Sequence, residues 1–230
     1  MVEKDKFWIV SSYKTDFSWV NAYTGNYIVY DKSGEHPETE HIRHSKNVGY
    51  NIYDYMSYIV DNYDDLPKTC VFIKSNIWNR TVDGVPNPHC NKAKFDVLIR
   101  NSIFTPLESY ENIPITRINR KAEDGGYIEL NEPEMPYHPW YTQDRTGLLV
   151  TKYFKSLEEM LPTLFNNPVI PRWIRFSPGA NYIVPREHIN YYSKSLYEKL
   201  KLYVEHNQYS AESHMIERAL YLIFTNYWKE

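Results

Sequence analysis

The chain has 230 residues, enough for one full-sized domain and too few for two of typical size. Hydrophobic residues make up 42% of the chain and charged residues 24%, a composition that excludes intrinsic disorder. The 26 Lys and Arg residues are outnumbered by 29 Asp and Glu residues, which leaves a formal charge of -3. Because this balance gives the protein no net positive field that would attract a polyanion, we expect no nucleic-acid partner.

The apolar runs and the cysteines predict a cytoplasmic protein. The first apolar run, Phe7 to Val10, lacks the core and the cleavage site of a signal peptide. No later run approaches the length of a membrane span, so we expect none. Cys70 and Cys90 could form at most one disulfide and cannot supply a four-thiolate zinc site. We expect both thiols to be reduced.

The first third of the chain, residues 1–76, alternates apolar runs with one helix, which is typical of a parallel, doubly wound sheet. Three apolar runs are predicted strands: Phe7 to Ser11, Tyr27 to Tyr30 and Thr69 to Ile73. A short helix or turn is predicted from Asp16 to Tyr23. Apolar side chains from Val48 to Tyr63 recur with the spacing of one helix face, and Asn47 is placed to cap that helix. This order predicts a nucleotide-binding half.

The rest of the chain divides into a loop-rich insertion, residues 77–147, and a second ordered half, residues 148–230. In the insertion only short strands are predicted, such as Phe95 to Ile99 and Tyr127 to Leu130. The second half opens with a capping-box spacing at Ser156 to Glu159. Two strands and two amphipathic helices follow: Arg172 to Phe176, Asn181 to Val184, the helix around Leu196 to Val204 and the helix around Ile216 to Tyr227. The prediction is a single α/β domain, with a mainly parallel twisted sheet flanked by helices.

The sequence lacks the motifs that are typical of several common enzyme classes. It has no phosphate loop of the Walker type and no dinucleotide glycine fingerprint, so ATP hydrolysis and nicotinamide chemistry are not expected. It has no Gly-x-Ser-x-Gly elbow and no His-Glu-x-x-His helix, which removes the local support for a serine hydrolase or a zinc protease. A glycoside hydrolase with two carboxylates has no supporting spacing either.

Seven short blocks carry a recognisable pattern: Asn47-Val48-Gly49, Tyr53 to Ile59, Asp61 to Pro67, Val71 to Ile73, Gly179 to Arg186, His214 to Arg218 and Ile223-Phe224. Together they resemble a family of poorly characterised proteins related to glycosyltransferases of the GT-A fold, including viral sugar transferases of the chlorovirus rhamnosyltransferase kind. The resemblance implies a GT-A-like single domain that moves a sugar from a nucleotide-diphosphate donor, such as a UDP-sugar, to a carbohydrate or glycan acceptor. It further implies inversion at the sugar, a Mn²⁺ or Mg²⁺ cofactor and, for a virus-encoded chain, the host cytoplasm.

The sequence departs from that family pattern at two places. Tyr50 and Asn51 stand where the family usually carries Arg and Glu, and Lys74-Ser75-Asn76 stands where a GT-A enzyme typically has a metal-binding Asp-x-Asp pair. Three explanations stay open. Other carboxylates, such as Asp83 or Asp96, hold the metal; Lys74 and Arg80 neutralise the diphosphate instead; or the protein has lost the reaction and binds a glycan or a partner protein.

The donor site is predicted from the position of polar residues after the strands. In open α/β sheets the ligand lies beyond the carboxyl ends of the strands, where the strand order reverses. The side chains expected there are Ser11, Ser12 and Tyr13 after the first strand, Asp31 and Lys32 after the second, and Lys74, Ser75 and Asn76 after the third. Asn47 and Gly49 would place backbone donors of a helix start near the phosphates.

The last helix supplies the candidate catalytic groups. His214 and Glu217 are three residues apart on one side of this helix, so one could act as the base and the other could orient it. Glu212 is the next candidate base. The structural alternative is an exposed pair in which Glu217 meets Arg218 or Arg186. The many aromatic residues, including Trp78, Trp140 and Trp173, are mostly core by base rate, but aromatic faces also stack on sugar rings.

Overall fold

Strands from both the first and the last third of the chain share one sheet. A computed structural model describes residues 5–82, 85–87, 89–109, 128–129, 150–171, 173–174 and 176–230. The six strands of this sheet are β1 (Lys6–Ser12), β2 (Tyr27–Asp31), β3 (Ile42–His44), β4 (Thr69–Lys74), and the later strands β7 (Thr105–Pro106) and β10 (Tyr182–Pro185). Two further antiparallel pairings join β5 (Thr81–Val82) to β6 (Val85–Pro86) and β8 (Ile128–Glu129) to β9 (Trp173–Ile174).

The strand order in the main sheet is β3-β2-β1-β4-β10-β7. The first four strands are parallel, while β10 runs antiparallel to both β4 and β7. The α/β class is therefore confirmed. The sheet is mixed because β10 runs antiparallel to its neighbours, and both β10 and β7 come from outside the N-terminal third. The register places Ser12 beside Asp31 and Ser11 beside Lys74, so the carboxyl ends of β1, β2 and β4 lie together.

The helix after β3, α1 (Tyr50–Asn62), begins two residues later than the sequence pattern predicts. Its cap is Gly49 rather than Asn47, and it has no side-chain cap hydrogen bond. Gly49 has a φ of 59°, in the left-handed region where a side chain is strained. A Cβ at this position would also lie 2.8 Å from Val204. The close approach of another helix therefore decides the start of α1.

The predicted strand from Phe95 to Ile99 is wrong, because these residues belong to the helix α2 (Lys92–Leu98) and the turn after it. Asn91 caps α2 by accepting a hydrogen bond from the Lys94 N–H at 2.9 Å. Phe95 and Ile99, four residues apart, are both buried, while Lys92 and Val97 are exposed. That spacing is the period of a helix, and the run was too short to distinguish it from a strand.

Four more helices complete the described part of the chain. They are α3 (Leu157–Met160), α4 (Arg186–Ile189), α5 (Lys194–Val204) and α6 (Ala211–Phe224). The capping box is confirmed, since the Ser156 hydroxyl accepts a hydrogen bond from the Glu159 N–H at 3.3 Å. Among the described helices, none is both long enough and apolar enough to cross a membrane.

The sheet separates two apolar clusters. One contains the buried faces of α1, α5 and α6, and Phe72 of β4 lies fully buried in it, stacked 5.9 Å from Phe224. The other, on the opposite face, includes Trp8 of β1 and Phe95 of α2. Replacing a fully buried Phe with Ala typically costs about 3–5 kcal/mol of stability, so Phe72→Ala is expected to weaken the whole fold. Both Cys70 and Cys90 are buried free thiols.

Candidate functional site

A pocket of about 230 Å³ lies where the carboxyl end of β4 meets the start of α1 and one side of α6. Its charged and titratable lining consists of Lys74, Arg80, His89, His214, Glu217 and Arg218. Three of these side chains are permanent or near-permanent cations, and they come from three separate segments of the sequence. The name cationic pocket is used below for the space around Lys74, Arg80 and Arg218.

Lys74 is the last residue of β4 and enters the pocket from the edge of the sheet. Its backbone N–H donates to Oδ1 of Asn181 at 2.8 Å, which fixes the end of the strand. Within the described residues, its ammonium makes no hydrogen bond and no ion pair. Burial and the nearby Arg80 charge lower the pKa of Lys74, while Glu217 and Glu108 oppose that shift. An anion in the pocket would therefore relieve an unfavourable charge.

Arg80 is held in the pocket by Glu108, a fully buried carboxylate. Nη2 of Arg80 lies 2.7 Å from Oε1 of Glu108 and also donates to the Pro178 carbonyl at 3.3 Å. Asn87 donates to the same carboxylate at 2.8 Å, and Asn181 donates to its other oxygen. Burial raises the pKa of Glu108, and the Arg80 charge opposes that rise. These partners satisfy the buried carboxylate and fix the direction of the guanidinium.

Glu217 and His214 form the acid–base pair of the pocket. Nδ1 of His214 lies 3.5 Å from Oε2 of Glu217, and the Gly179 N–H donates to Oε1. Burial raises the pKa of Glu217, but the hydrogen bond from His214 and the positive charge of Lys74 outweigh it and lower the pKa to about 2. A carboxylate with so low a pKa is a weak base. Glu217 is therefore poorly suited to accept a proton, whereas its hydrogen bonds hold it beside the His214 ring.

Arg218 and the first turn of α1 close the pocket. The Arg218 guanidinium donates to the His214 carbonyl at 3.3 Å and lies 5.5 Å from the centre of the Phe176 ring. The two departures from the family pattern, Tyr50 and Asn51, both line this pocket. Asn51 donates to the Gly179 carbonyl at 2.9 Å, which ties α1 to the turn before β10. The N-terminus of a helix carries a partial positive charge, which adds to that of the three cations.

The polar residues after β1 and β2 are brought to the same sheet edge, but within the described residues they do not line the cationic pocket. Asp54, fully buried on α1, accepts hydrogen bonds from Ser11 and Ser45, each at 2.5 Å, and lies 3.2 Å from Nζ of Lys32. Lys32 also donates to the Lys46 and Val48 carbonyls at 2.9 Å each. The four residues Ser11, Lys32, Ser45 and Asp54 are called the Asp54 network. Its members are saturated by protein groups.

Asp31, Ser12 and Ser75 also have internal partners. Asp31 accepts hydrogen bonds from the Ser33 N–H at 2.8 Å and from the Ser33 hydroxyl at 2.6 Å. Burial raises the pKa of Asp31, but hydrogen bonds from Ser33 and His36 lower it to about 2. The Ser75 hydroxyl donates to the Ser12 hydroxyl at 3.1 Å. Tyr13, in contrast, is 44% exposed at the end of this edge.

The remaining predicted donor contacts are Asn47, Gly49 and Asn76. The Gly49 N–H donates to the Asn207 carbonyl at 2.8 Å, so it is not available to a phosphate, and Asn47 beside it caps no helix. The Asn76 carbonyl accepts hydrogen bonds from the N–H groups of Asn79 and Arg80, each at 3.1 Å. Asn76 therefore forms the turn that leads Arg80 into the pocket.

Glu212 lies outside the cationic pocket, contrary to its selection as a candidate base. Its carboxylate accepts hydrogen bonds from the N–H groups of Lys152 and Tyr153 at 2.9 and 2.6 Å, and Nε2 of His206 lies 2.9 Å away. Five residues separate Glu212 from Glu217, so the two side chains leave α6 in different directions. Glu212 instead anchors the segment that precedes α3.

The carboxylates suggested as metal ligands are not gathered around the pocket. Asp96 is paired with Lys92 at 2.8 Å and accepts a hydrogen bond from the Tyr23 hydroxyl, on the opposite face of the sheet. Asp83 lies outside the described residues, as does Trp140. Over the part of the chain that is described, no three His, Cys, Asp or Glu side chains are grouped closely enough to hold a metal ion.

The main functional candidate that sequence reasoning missed is Glu108. It follows β7, a two-residue strand in a segment that the pattern assigns to loops. An acidic residue directly after an apolar position, as in Leu107-Glu108, was the one available signal, and it is a weak one. The role of Glu108 depends on Arg80, Asn87 and Asn181 being neighbours, which only the folded chain determines.

Comparison with known proteins gives a single match. The model of a family described as Protein of unknown function (DUF3431) matches residues 8–229. No curated protein and no solved structure matches the chain. The matched region contains every residue of the cationic pocket, from Tyr50 to Arg218.

Proposed function

We propose that this chain, which belongs to the DUF3431 family of proteins of unknown function, is a glycosyltransferase that uses a nucleotide-diphosphate sugar and a carbohydrate or glycan acceptor. The observation that carries the proposal is the Lys74 ammonium, which has no internal partner among the described residues and stands beside Arg80 and Arg218. Lys74 ends β4 next to β1, where the strand order reverses. Ligands of open α/β sheets bind outside such a reversal point.

The chemistry of sugar transfer requires positive charge near the leaving diphosphate. When the glycosidic bond to the donor breaks, negative charge develops on the departing phosphate oxygens, and fixed cations stabilise it most in a site that excludes water. Lys74, Arg80 and Arg218 supply three such groups, two of which Glu108 and Glu217 balance. The pocket thus has one excess positive charge before a ligand binds, together with the partial charge at the start of α1.

His214 is proposed to take the proton from the acceptor hydroxyl. Glu217 would hold the imidazole through Nδ1, in the way a carboxylate orients a catalytic histidine, and the Gly179 N–H keeps that carboxylate in place. The oxygen that loses its proton would then attack the sugar carbon opposite the diphosphate, which inverts the configuration.

The pocket is too small for a whole donor. Its volume of about 230 Å³ lies below the roughly 300–1,000 Å³ of typical ligand sites, so it suits the diphosphate and part of the sugar. The nucleoside would extend along the carboxyl ends of β1 and β2, past Tyr13 and Asp31. Because Asp31 and Ser12 already bind protein groups, we expect contacts there to come mainly from exposed Tyr13 and from backbone atoms.

A divalent cation does not fit the described lining of the pocket. Glu108 and Glu217 both already bind protein donors, and Lys74, Arg80 and Arg218 would repel a second cation. A Mn²⁺ or Mg²⁺ cofactor would need carboxylates from outside the described residues, such as Asp83. The proposed roles of Lys74 and His214 therefore involve no metal. A cytoplasmic location remains part of the proposal and agrees with two free, buried thiols.

The second candidate function is that of a catalytically inactive relative that binds a glycan or a partner protein. The observation in its favour is Lys74-Ser75-Asn76, which stands where a metal-dependent GT-A enzyme typically has an Asp-x-Asp pair. The two functions differ in whether bound donor is consumed.

The first experiment measures donor binding. Thermal unfolding is followed with UDP, GDP, CMP, dTDP and their sugars, each with EDTA or with Mn²⁺, since a ligand of the native state raises the melting temperature. We expect one nucleotide to stabilise the protein in EDTA, and Lys74→Met to abolish the effect. Lys46→Met, at an exposed lysine, is the matched control. If no nucleotide stabilises the protein under either condition, the donor site proposed here is wrong.

The second experiment measures turnover. Release of nucleoside diphosphate from the stabilising donor is followed with a panel of oligosaccharide acceptors. His214→Ala should lower the rate about 10²–10⁴-fold while donor affinity is kept, because a general base contributes about that much. Glu217→Gln should lower it less. Donor binding without turnover on any acceptor would support the inactive relative, and full activity of His214→Ala would remove the proposed base.

A further inference from the structure

A second and larger cavity lies away from the cationic pocket. It has a volume of about 1,100 Å³ and opens where the start of β1 meets the end of α2. Its aromatic lining is Trp8, Trp19, Tyr23 and Trp78, and the name aromatic cleft is used for the space that they enclose. None of its lining residues also lines the cationic pocket. The two cavities are therefore separate sites.

The floor of the aromatic cleft is a continuous cluster of rings. Trp19 and Trp78 have ring centres 4.2 Å apart, and Tyr23 lies 5.8 Å from Trp19 and 5.7 Å from Trp8. Trp19, Tyr23 and Trp78 are only partly buried, so the cluster is not closed core. Three of the six tryptophans of the chain meet at this one cavity. Partly exposed aromatic rings of this kind offer flat apolar faces to a ligand.

Polar groups in the aromatic cleft lack hydrogen-bond partners within the described residues. The Trp8 side chain is only 4% exposed, and its indole N–H has no acceptor there. The Arg100 guanidinium and the Asn26 side-chain amide, both at exposed residues of the rim, likewise make no hydrogen bond in that part of the chain, although the Arg100 charge acts on Asp96. The cleft therefore offers a ligand the N–H groups of Trp8, Arg100 and Asn26 as donors and the side-chain carbonyl of Asn26 as an acceptor.

The rim charges narrow the class of ligand. Asp5 and Asp96 line the cleft together with Lys6, Lys92 and Arg100. The Lys6 ammonium donates to the Ile99 and Asn101 carbonyls, and the two remaining bases match the two acids in number. A polyanion would be repelled by the acids, and an apolar tail would desolvate the charges. A carbohydrate matches both features, because its hydroxyls donate and accept hydrogen bonds while its C–H faces pack on aromatic rings. We infer that the aromatic cleft binds a carbohydrate chain.

This site does not depend on the proposed transfer reaction, since a glycan could bind there in an enzyme or in a binding protein. The test uses tetraoses of glucose (β-1,4- and α-1,4-linked), N-acetylglucosamine, mannose and xylose. Binding is measured by the change in tryptophan fluorescence and by saturation-transfer NMR. We expect at least one probe to bind, and Trp78→Ala to weaken it at least about tenfold, the loss expected when about 1.4 kcal/mol of contact is removed.

Arg100→Ala is a second variant, used in case Trp78→Ala does not fold. Arg100 is exposed, so its removal should leave the fold intact. It should weaken the same probe severalfold, whereas Arg43→Ala, at an exposed arginine on β3, should not. Lys74→Met should lose nucleotide binding and keep glycan binding, which separates this inference from the proposed donor site. The inference is overturned if no tetraose binds, if both Trp78→Ala and Arg100→Ala bind as tightly as the unchanged protein, or if the cleft binds only apolar peptides.

Discussion

Lys32 and Lys74 occupy comparable places in the sheet, one directly after β2 and the other at the end of β4, yet their surroundings differ. The Lys32 ammonium lies 3.2 Å from Asp54 and donates to two backbone carbonyls. The Lys74 ammonium has no such partner among the described residues and faces a pocket. A cation at a strand end is therefore structural when the protein saturates it and available to a ligand when the protein does not.

The two regions also differ in where their partners come from. Every member of the Asp54 network other than Ser11 lies between residues 32 and 54, so the network joins β2, the segment before α1 and α1 itself. The cationic pocket combines residues near 74–80, 108, 179–181 and 214–218. Four predictions test whether the two regions differ in this way.

The largest expected effect is on stability, from Lys32→Met. This change leaves Asp54 fully buried and without its ammonium partner, and breaking a buried pair costs about 3–5 kcal/mol. Urea unfolding measures the loss. Adding Asp54→Asn should recover part of it, because an amide carries no charge to desolvate. A loss below about 1 kcal/mol would show that Lys32 is not the structural member of the comparison.

The next effect is the acid sensitivity that Glu217 confers. Its folded pKa of about 2 lies below the ordinary value of 4.5, so its contribution to stability is complete above about pH 4.5 and is lost as the pH falls towards 2. The shift corresponds to roughly 3 kcal/mol. Glu217→Gln should therefore lose stability at pH 7 but little at pH 2.5, measured by urea unfolding at both pH values. Glu198→Gln, at an exposed residue, is the control, and equal losses at the two pH values would contradict the shift.

Lys74→Met is the matched counterpart of Lys32→Met. Burial disfavours the Lys74 charge, while Glu217 and Glu108 favour it. Because these effects oppose each other, removing Lys74 should lower the free energy of unfolding much less than Lys32→Met does. Affinity for the nucleotide donor should fall by about 1.5–3 kcal/mol, or roughly 10–150-fold, the usual value of a charged hydrogen bond. Calorimetry measures the affinity. A variant that unfolds as easily as Lys32→Met would erase the distinction between the two lysines.

The smallest effect concerns two asparagines before helices. Asn47→Ala should change stability by less than about 0.5 kcal/mol, because its side chain caps no helix. Asn91→Ala should cost about 1 kcal/mol, since Asn91 accepts the Lys94 N–H hydrogen bond that caps α2. Thermal or urea unfolding of the two variants, side by side, tests this. If Asn47→Ala lost more stability than this, Asn47 would be shown to cap α1 after all.

Much of the fold could be predicted from local patterns. β1, β2 and β4 lie within one residue of their predicted positions, and α6 follows its apolar spacing. The prediction of a strand at α2 was wrong because five apolar-rich residues fit both a strand and a helix. Within the site, Lys74, His214 and Glu217 were selected and do meet in one pocket, while Glu212 was selected and points elsewhere.

The sequence by itself determined the α/β class, the parallel strands β1, β2 and β4 and the set of polar residues at their carboxyl ends, because these depend on periodicity and on the local direction of the chain. Only the tertiary structure decided which of those polar residues are saturated and which face a cavity. Saturation depends on residues such as Asp54, Glu108 and Asn181, which are brought near Lys32, Arg80 and Lys74 by packing between elements. No local pattern encodes that distance, since a buried charge is satisfied by whichever partner the fold places within hydrogen-bond reach.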